Sequence, residues 1–254
     1  MWSGPRNIST AMMRAWGNRP DTIVCDEPFY AHYLLSTGHT DHPGYEEIIS
    51  SHETDWRKVV QWLSGPIPHG KSIFYQKHMA HHVLPGMATD WIESMQNCFL
   101  IREPNEMLLS LVEFLPSPSL LETGLPQQVQ LFEYLRERND AIPPVIDATD
   151  VLKDPGGTLR ALCDRLQVPF YDEMLTWPTG PRSTDGVWAP HWYTKTYETT
   201  GFGPHRPKAG RLPEHLHRTL DRCRQLYEQL FRHRIQPVEN QPHIASKPSA
   251  VTRP

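Results

Sequence analysis

An α/β fold in which helices flank a parallel β-sheet on both faces is what this sequence of 254 residues predicts. Three observations point to it. Short apolar runs alternate with segments of helical periodicity, the order that builds parallel strands joined by crossover helices. The runs are apolar throughout rather than at every second position, as strands covered on both faces are. Their ends, and the loop that opens the chain, carry Arg6, Glu27, Lys77 with His78, Arg102 and Asp147. Open parallel sheets bind ligands beyond the carboxyl ends of their strands, so these residues describe an anion-friendly cleft.

Each element has its own signal. Residues 8–18 read as a helix, with Ser9 or Thr10 placed to cap it and Met12, Met13 and Trp16 on one face. Residues 22–25 form a short buried strand ending at Asp26-Glu27-Pro28, and the polar, His- and Gly-rich stretch 36–51 reads as loop. A short helix follows at 56–63, a strand at 72–76 ending at Lys77-His78, and a helix at 87–95. The strand 97–101 ends at Arg102-Glu103-Pro104, and helices are predicted over 105–114 and 126–139. The strand 144–146 ends at Asp147; Leu159, Leu162 and Leu166 mark an amphipathic helix over 154–166, and 214–231 is the last helix. One domain over 1–235 is expected, with an aromatic segment at about 178–210 and a disordered, proline-rich tail at 236–254.

Composition narrows the function. With 38% hydrophobic and 21% charged residues the chain is globular, and no apolar run approaches the roughly 20 residues of a membrane span. A net charge of −4 argues against a nucleic-acid surface. Cys25, Cys98, Cys163 and Cys223 stand far apart, which fits a reducing cytoplasm rather than a disulfide framework or zinc ribbon. The expected partner is a small-molecule acceptor, with neither nucleic acid nor membrane involved, and a homo-oligomer is left open.

The run Pro5-Arg6-Asn7-Ile8-Ser9-Thr10 leads straight into a helix. A helix start offers unpaired N–H groups and a partial positive charge, and Arg6, Ser9 and Thr10 add further donors for a phosphate. The Walker lysine is missing. The run resembles the P-[KR]-[ST]-G-[ST]-T loop of the sulfotransferase family, which holds the 5′-phosphosulfate of 3′-phosphoadenosine 5′-phosphosulfate (PAPS). Residues 99–110, with Arg102-Glu103-Pro104 and Ser110, resemble that family's strand-then-helix signature, in which the Arg and the Ser bind the 3′-phosphate. Residues 147–155 with Leu159-Arg160 are similar to its E-D-L-x-x-D-P-x-x-x-L-R segment, so the resemblance spans roughly 1–177. Arg206 and Lys208 in Arg206-Pro207-Lys208-Ala209-Gly210 echo a late R-K-G element, which would add them to the 3′-phosphate site. In two respects the sequence departs from the pattern: Ile8 stands where the family has glycine, and only Met1 and Trp2 precede the loop, leaving almost no first strand.

The resemblance implies a P-loop-type, sulfotransferase-like domain that moves a sulfuryl group from PAPS to a hydroxyl, releasing PAP. A sulfuryl group carries less charge than a phosphoryl, so no metal is expected, and Arg6 with Lys77 would stabilise the charge that develops. The base is either Glu27, where some bacterial members place a carboxylate, or His78, which resembles the histidine of the K-x-H segment in cytosolic members. His78, His81 and His82 with His39 and His42 have spacings a metal could use, but no carboxylate or thiolate joins them at a recognised spacing. Trp188, Trp192, Tyr193, Tyr197 and Phe202 read equally as a packed edge or as a lid over the acceptor. A nucleotide-dependent kinase and a non-catalytic nucleotide-binding module are the competing classes.

Overall fold

A strand of two residues, Trp2–Ser3 (β1), forms the middle of the sheet. The computed structural model describes residues 1–138 and 141–236. Around β1 stand Thr22–Asp26 (β2), Ile73–Met79 (β3), Phe99–Ile101 (β4) and Val145–Asp147 (β5), all parallel, in the order β2-β3-β1-β4-β5. The nearly missing first strand is therefore present, and central.

Alternation along the strands divides the core between two faces. Leu100 and Ile146 point to the side of Ser9–Gly17 (α1) and Pro155–Arg165 (α8), where Met12, Met13, Trp16, Leu159 and Leu162 are buried. Phe99, Ile101 and Val145 point the other way, onto Pro104–Leu111 (α5), Leu125–Arg138 (α6) and His217–Phe231 (α11). The remaining helices are Tyr30–Thr37 (α2), Tyr45–Ser51 (α3), Trp56–Leu63 (α4), Ala148–Lys153 (α7), Ala189–Trp192 (α9) and Thr194–Tyr197 (α10). No helix among the described residues is long and apolar enough to cross a membrane.

Several elements differ from expectation. The supposed loop 36–51 is largely helical: α2 runs through Thr37 to an αL cap at Gly38 (φ 72°), and α3 follows with Ile48 buried. The helix expected over 87–95 is only a 3₁₀ turn, Asp90–Ser94, and the Asn97 side-chain amide donates to the carbonyls of Ile92 (2.7 Å) and Met95 (2.9 Å), closing it off. β3 continues to Met79, because Trp2 and Ser3 pair with His78 and Met79. The expected tail, apart from Gln236, lies outside the described residues, as does Asn139 at the predicted end of α6.

Candidate active site

The loop between β1 and α1 folds through two left-handed residues, Arg6 (φ 62°) and Ile8 (φ 59°). Ile8, not Ser9 or Thr10, is the N-cap, with no side-chain capping bond, so the hydroxyls of the first turn are not spent on the helix. The glycine of the family pattern thus falls at a position of positive φ, which costs a β-branched residue of order 1–2 kcal/mol. Because the strain is specific to a Cβ, Ile8→Gly should melt higher than Ile8→Ala, by about 1 kcal/mol, the reverse of the usual order of these residues. A lower melting point for the glycine variant would show that Ile8 sits there without strain. Gly4 is required for a different reason: a Cβ there would stand 2.3 Å from the Thr123 carbonyl oxygen. The Asn7 side-chain amide donates to the Leu100 carbonyl (3.2 Å), tying the loop to β4.

Beside the loop lies the start of α5. Arg6 Nε donates to Ser110 Oγ at 2.9 Å, and Arg102 Nη1 donates to the Arg6 carbonyl at 2.8 Å. Residues about a hundred positions apart are thereby joined: both predicted phosphate motifs meet at one place. Burial lowers the Arg6 pKa and the neighbouring Arg102 lowers it further, with Glu113 opposing. In the present arrangement Glu106 pairs with Arg102 (3.1 Å), and His205 reaches Glu106 from the late segment (3.2 Å). Sequence reasoning missed both Glu106 and His205. It named their neighbours instead: Arg206 is exposed, and Lys208 is paired with Glu113 at 2.5 Å, so neither contacts Arg102 or Ser110. Asp147, the last of the charged strand ends, caps α7 through the Thr149 N–H and accepts from the Tyr227 hydroxyl (2.9 Å); it belongs to the framework rather than to the cleft.

At the end of β2, Glu27 adopts a positive φ of 41° while its N–H bonds the Lys77 carbonyl (2.9 Å). Lys77 Nζ donates to Asp26 Oδ1 (2.8 Å), Glu27 Oε1 (2.5 Å) and the Tyr193 hydroxyl (2.7 Å). An ammonium has three protons, so all are engaged and none is left for a sulfuryl oxygen. Lys77, at 1% side-chain exposure, thus holds the Glu27 carboxylate, with its protons directed at protein partners rather than into the cleft. Burial alone would discharge it, but Asp26 and Glu27 hold its pKa above the ordinary lysine value. Asp26 is saturated: it also receives the Tyr193 hydroxyl (2.8 Å) and the Gly186 N–H (3.2 Å). Glu27 differs from it. Only Oε1 is engaged, 12% of its side chain remains accessible, and burial together with the Asp26 charge raises its pKa against the pull of Lys77.

His78 is turned away from this group. Lys77 and His78 are consecutive on one strand and so point to opposite faces. His78 stacks on Trp2 (4.3 Å) and Phe29 (5.6 Å), its Nε2 faces Gln76 Oε1 (3.1 Å), and burial drives its pKa well below the imidazole range. Its ring is enclosed by aromatic side chains on the face of the sheet opposite to Glu27.

The aromatic segment after residue 178 closes the site from the other side. Trp188 and Tyr193 are buried core; Arg14 of α1 fixes the segment through a bidentate, buried pair with Asp185 (2.6 and 2.8 Å). Trp192 packs on Phe114, whose ring lies under the Arg6 guanidinium (4.7 Å), and on His42, whose Nδ1 meets the Tyr30 hydroxyl (2.7 Å). His82 stacks on Tyr33 and His81 meets the same ring edge-on; burial lowers the pKa of both, that of His81 to about 3. Among the described residues no group of three or more His, Cys, Asp or Glu is arranged to hold a metal ion.

Comparison with known proteins bears on this geometry. A family model described as a sulfotransferase domain matches residues 1–226. Two Arabidopsis thaliana proteins, named branched-chain-amino-acid aminotransferase-like proteins 1 and 2, are 38% and 37% identical over 235 and 234 residues, 91% of this chain in each case. The chain spans 41% of the length of each. Two solved structures share the fold at 14% sequence identity. The sulfotransferase domain from the curacin biosynthetic pathway superposes with a TM-score of 0.52, covering 93% of this chain and 97% of that one. The sulfotransferase domain from the Synechococcus PCC 7002 olefin synthase gives 0.56, covering 92% and 94%.

Proposed function

The chain belongs to the sulfotransferase domain family, and on that premise we propose that it transfers a sulfuryl group from PAPS to a hydroxyl of a small-molecule acceptor, with Glu27 as the base. The observation that carries the reading is the Arg6–Ser110 hydrogen bond, with Arg102 on the Arg6 carbonyl: it gathers the loop and the strand-end motif into one cationic site.

The donor set suits a nucleotide with phosphates at two positions. The unspent N–H groups and hydroxyls at the start of α1, together with Arg6, would hold the 5′-phosphosulfate, and Arg102 with Ser110 would hold the 3′-phosphate. PAPS supplies an activated sulfuryl group. The chain's own task is to orient it, to neutralise charge with Arg6, and to take the acceptor's proton on the free Oε2 of Glu27. Lys77 and Tyr193 fix that carboxylate from behind, and Phe114 with Trp192 presents aromatic surface to the acceptor side.

Binding of PAP tests the reading. PAP should raise the melting temperature by mass action, and Arg102→Ala should weaken its binding by about 1.5–3 kcal/mol, the worth of a hydrogen bond to a charged group. Unchanged affinity in the variant, or a thermal shift with ATP and magnesium but not with PAP, overturns the assignment.

A further inference from the structure

The edge of the sheet carries a cation that sulfuryl transfer does not use. Among the described residues β2 pairs only with β3, so its other side is a free edge. Against that edge lies a cavity of about 210 Å³, enclosed by α1, by Thr22 to Val24 at the start of β2, and by the turn Arg182-Ser183-Thr184. The donor site stands at the carboxyl ends of the strands, and neither Arg6, Arg102 nor Ser110 lines this cavity.

The turn is tightly held by its backbone. The Asp185 carboxylate accepts from both Arg14 terminal nitrogens (2.6 and 2.8 Å) and from the Arg182 N–H (2.8 Å), and the Asp185 N–H donates to the Arg182 carbonyl (3.0 Å). The Arg182 side chain takes no part in this. Its Nε and Nη2 are both buried and have no partner among the described residues. These two nitrogens share one edge of the guanidinium, and that edge can donate to two oxygens of a single anion at once. A buried cation left unpaired is costly. Burial lowers the Arg182 pKa and Arg14 lowers it further, with Asp185 opposing. Asp185 is committed to Arg14, however, and no Asp or Glu is among the residues lining the cavity, so the positive charge of Arg182 goes unanswered there. Ser183 and Thr184 bring hydroxyls to the same lining.

We propose that this cavity is a binding site for a small tetrahedral oxyanion, inorganic sulfate or phosphate, held by the Nε–H and Nη2–H of Arg182 with the Ser183 and Thr184 hydroxyls as further donors. The volume accommodates such an ion with a few waters, at about 30 Å³ for each water. The chemistry selects for shape as well as charge. Two parallel N–H groups match two oxygens on one central atom, whereas a halide offers a single centre and cannot satisfy both along their axes. An ion bound here ties the turn 182–185 to the edge of β2 and leaves the Arg14–Asp185 pair undisturbed.

The test is a thermal melt of the native chain, Arg182→Met and Arg102→Ala, each in sodium sulfate, in sodium phosphate and in sodium chloride of matched ionic strength. Removing the Arg182 charge leaves no side-chain group of the protein without a partner, so that variant is expected to fold. In about 10 mM sulfate or phosphate the native chain should melt a few degrees higher than in chloride, by mass action. Arg102→Ala should keep that gain and Arg182→Met should lose it. No gain in the native chain overturns the proposal. A gain that Arg182→Met keeps, or that Arg102→Ala loses, overturns it as well, because the effect then belongs to the donor site or to a general action of the salt. The native chain gives a second reading that needs no variant: the Arg182 Nε–H resonance should shift on titration with sulfate or phosphate and stay in place with chloride. A resonance that moves with neither oxyanion, or equally with chloride, also counts against the site.

Discussion

Glu27→Gln should lower turnover by about 10²- to 10⁴-fold, the span that general acid–base catalysis contributes, while leaving the affinity for PAP unchanged. Glutamine keeps the shape and can still accept from Lys77, so the loss isolates the proton-accepting step. The pH profile gives a second reading. Burial raises the Glu27 pKa, so in the native enzyme the acid limb of kcat/KM should lie above the ordinary glutamate value, with activity falling as pH drops through it and Glu27 protonates. That limb should be absent from the variant. Native turnover with the limb intact would assign the proton to another group.

Lys77→Met should be the most destabilising single change at the site, by about 3–5 kcal/mol, the cost of leaving a buried charge without its partner. It strands two carboxylates, Asp26 and Glu27, at 2% and 12% side-chain exposure. For a chain of this size that corresponds to a fall of roughly 10 °C in melting temperature. The sign with pH is diagnostic. Without the ammonium the Glu27 pKa rises further above its unfolded value, so folding favours the protonated form, and the variant's deficit should shrink as pH falls through that range. A deficit constant with pH would point to lost packing around the lysine stem rather than to stranded charge.

Much of the architecture was legible because the apolar runs and the charged strand ends both record the parallel sheet. Helix α3 was not, because its polar neighbours His39, Asp41 and His42 outweigh a stripe only as long as Tyr45 and Ile48. Lys77 and His78 were read together as a strand end. Once β3 is seen to run to Met79, the two-residue period alone places them on opposite faces, so this error was correctable from the pattern. Tyr193 was not recoverable in its role: it meets Glu27 and Asp26 from more than 160 positions away, and nothing in its local spacing marks it. Glu106, by contrast, stands four residues after Arg102 on a helix start, a spacing that announces an ion pair.

The anchoring of residues 182–193 bears on how acceptor preference is able to diversify. Asp185 is clamped by Arg14 on the helix that follows the donor loop, and Tyr193 by the Asp26–Lys77 pair at the strand ends. A surface loop is free to drift between relatives; this segment is bolted to the donor side at both ends. Transplanting it from a relative would succeed only with its three counterparts, Arg14, Asp26 and Lys77, intact, so variation in the acceptor is expected to reside in side chains between the two anchors, such as His191 and Trp192, rather than in the length or course of the segment itself.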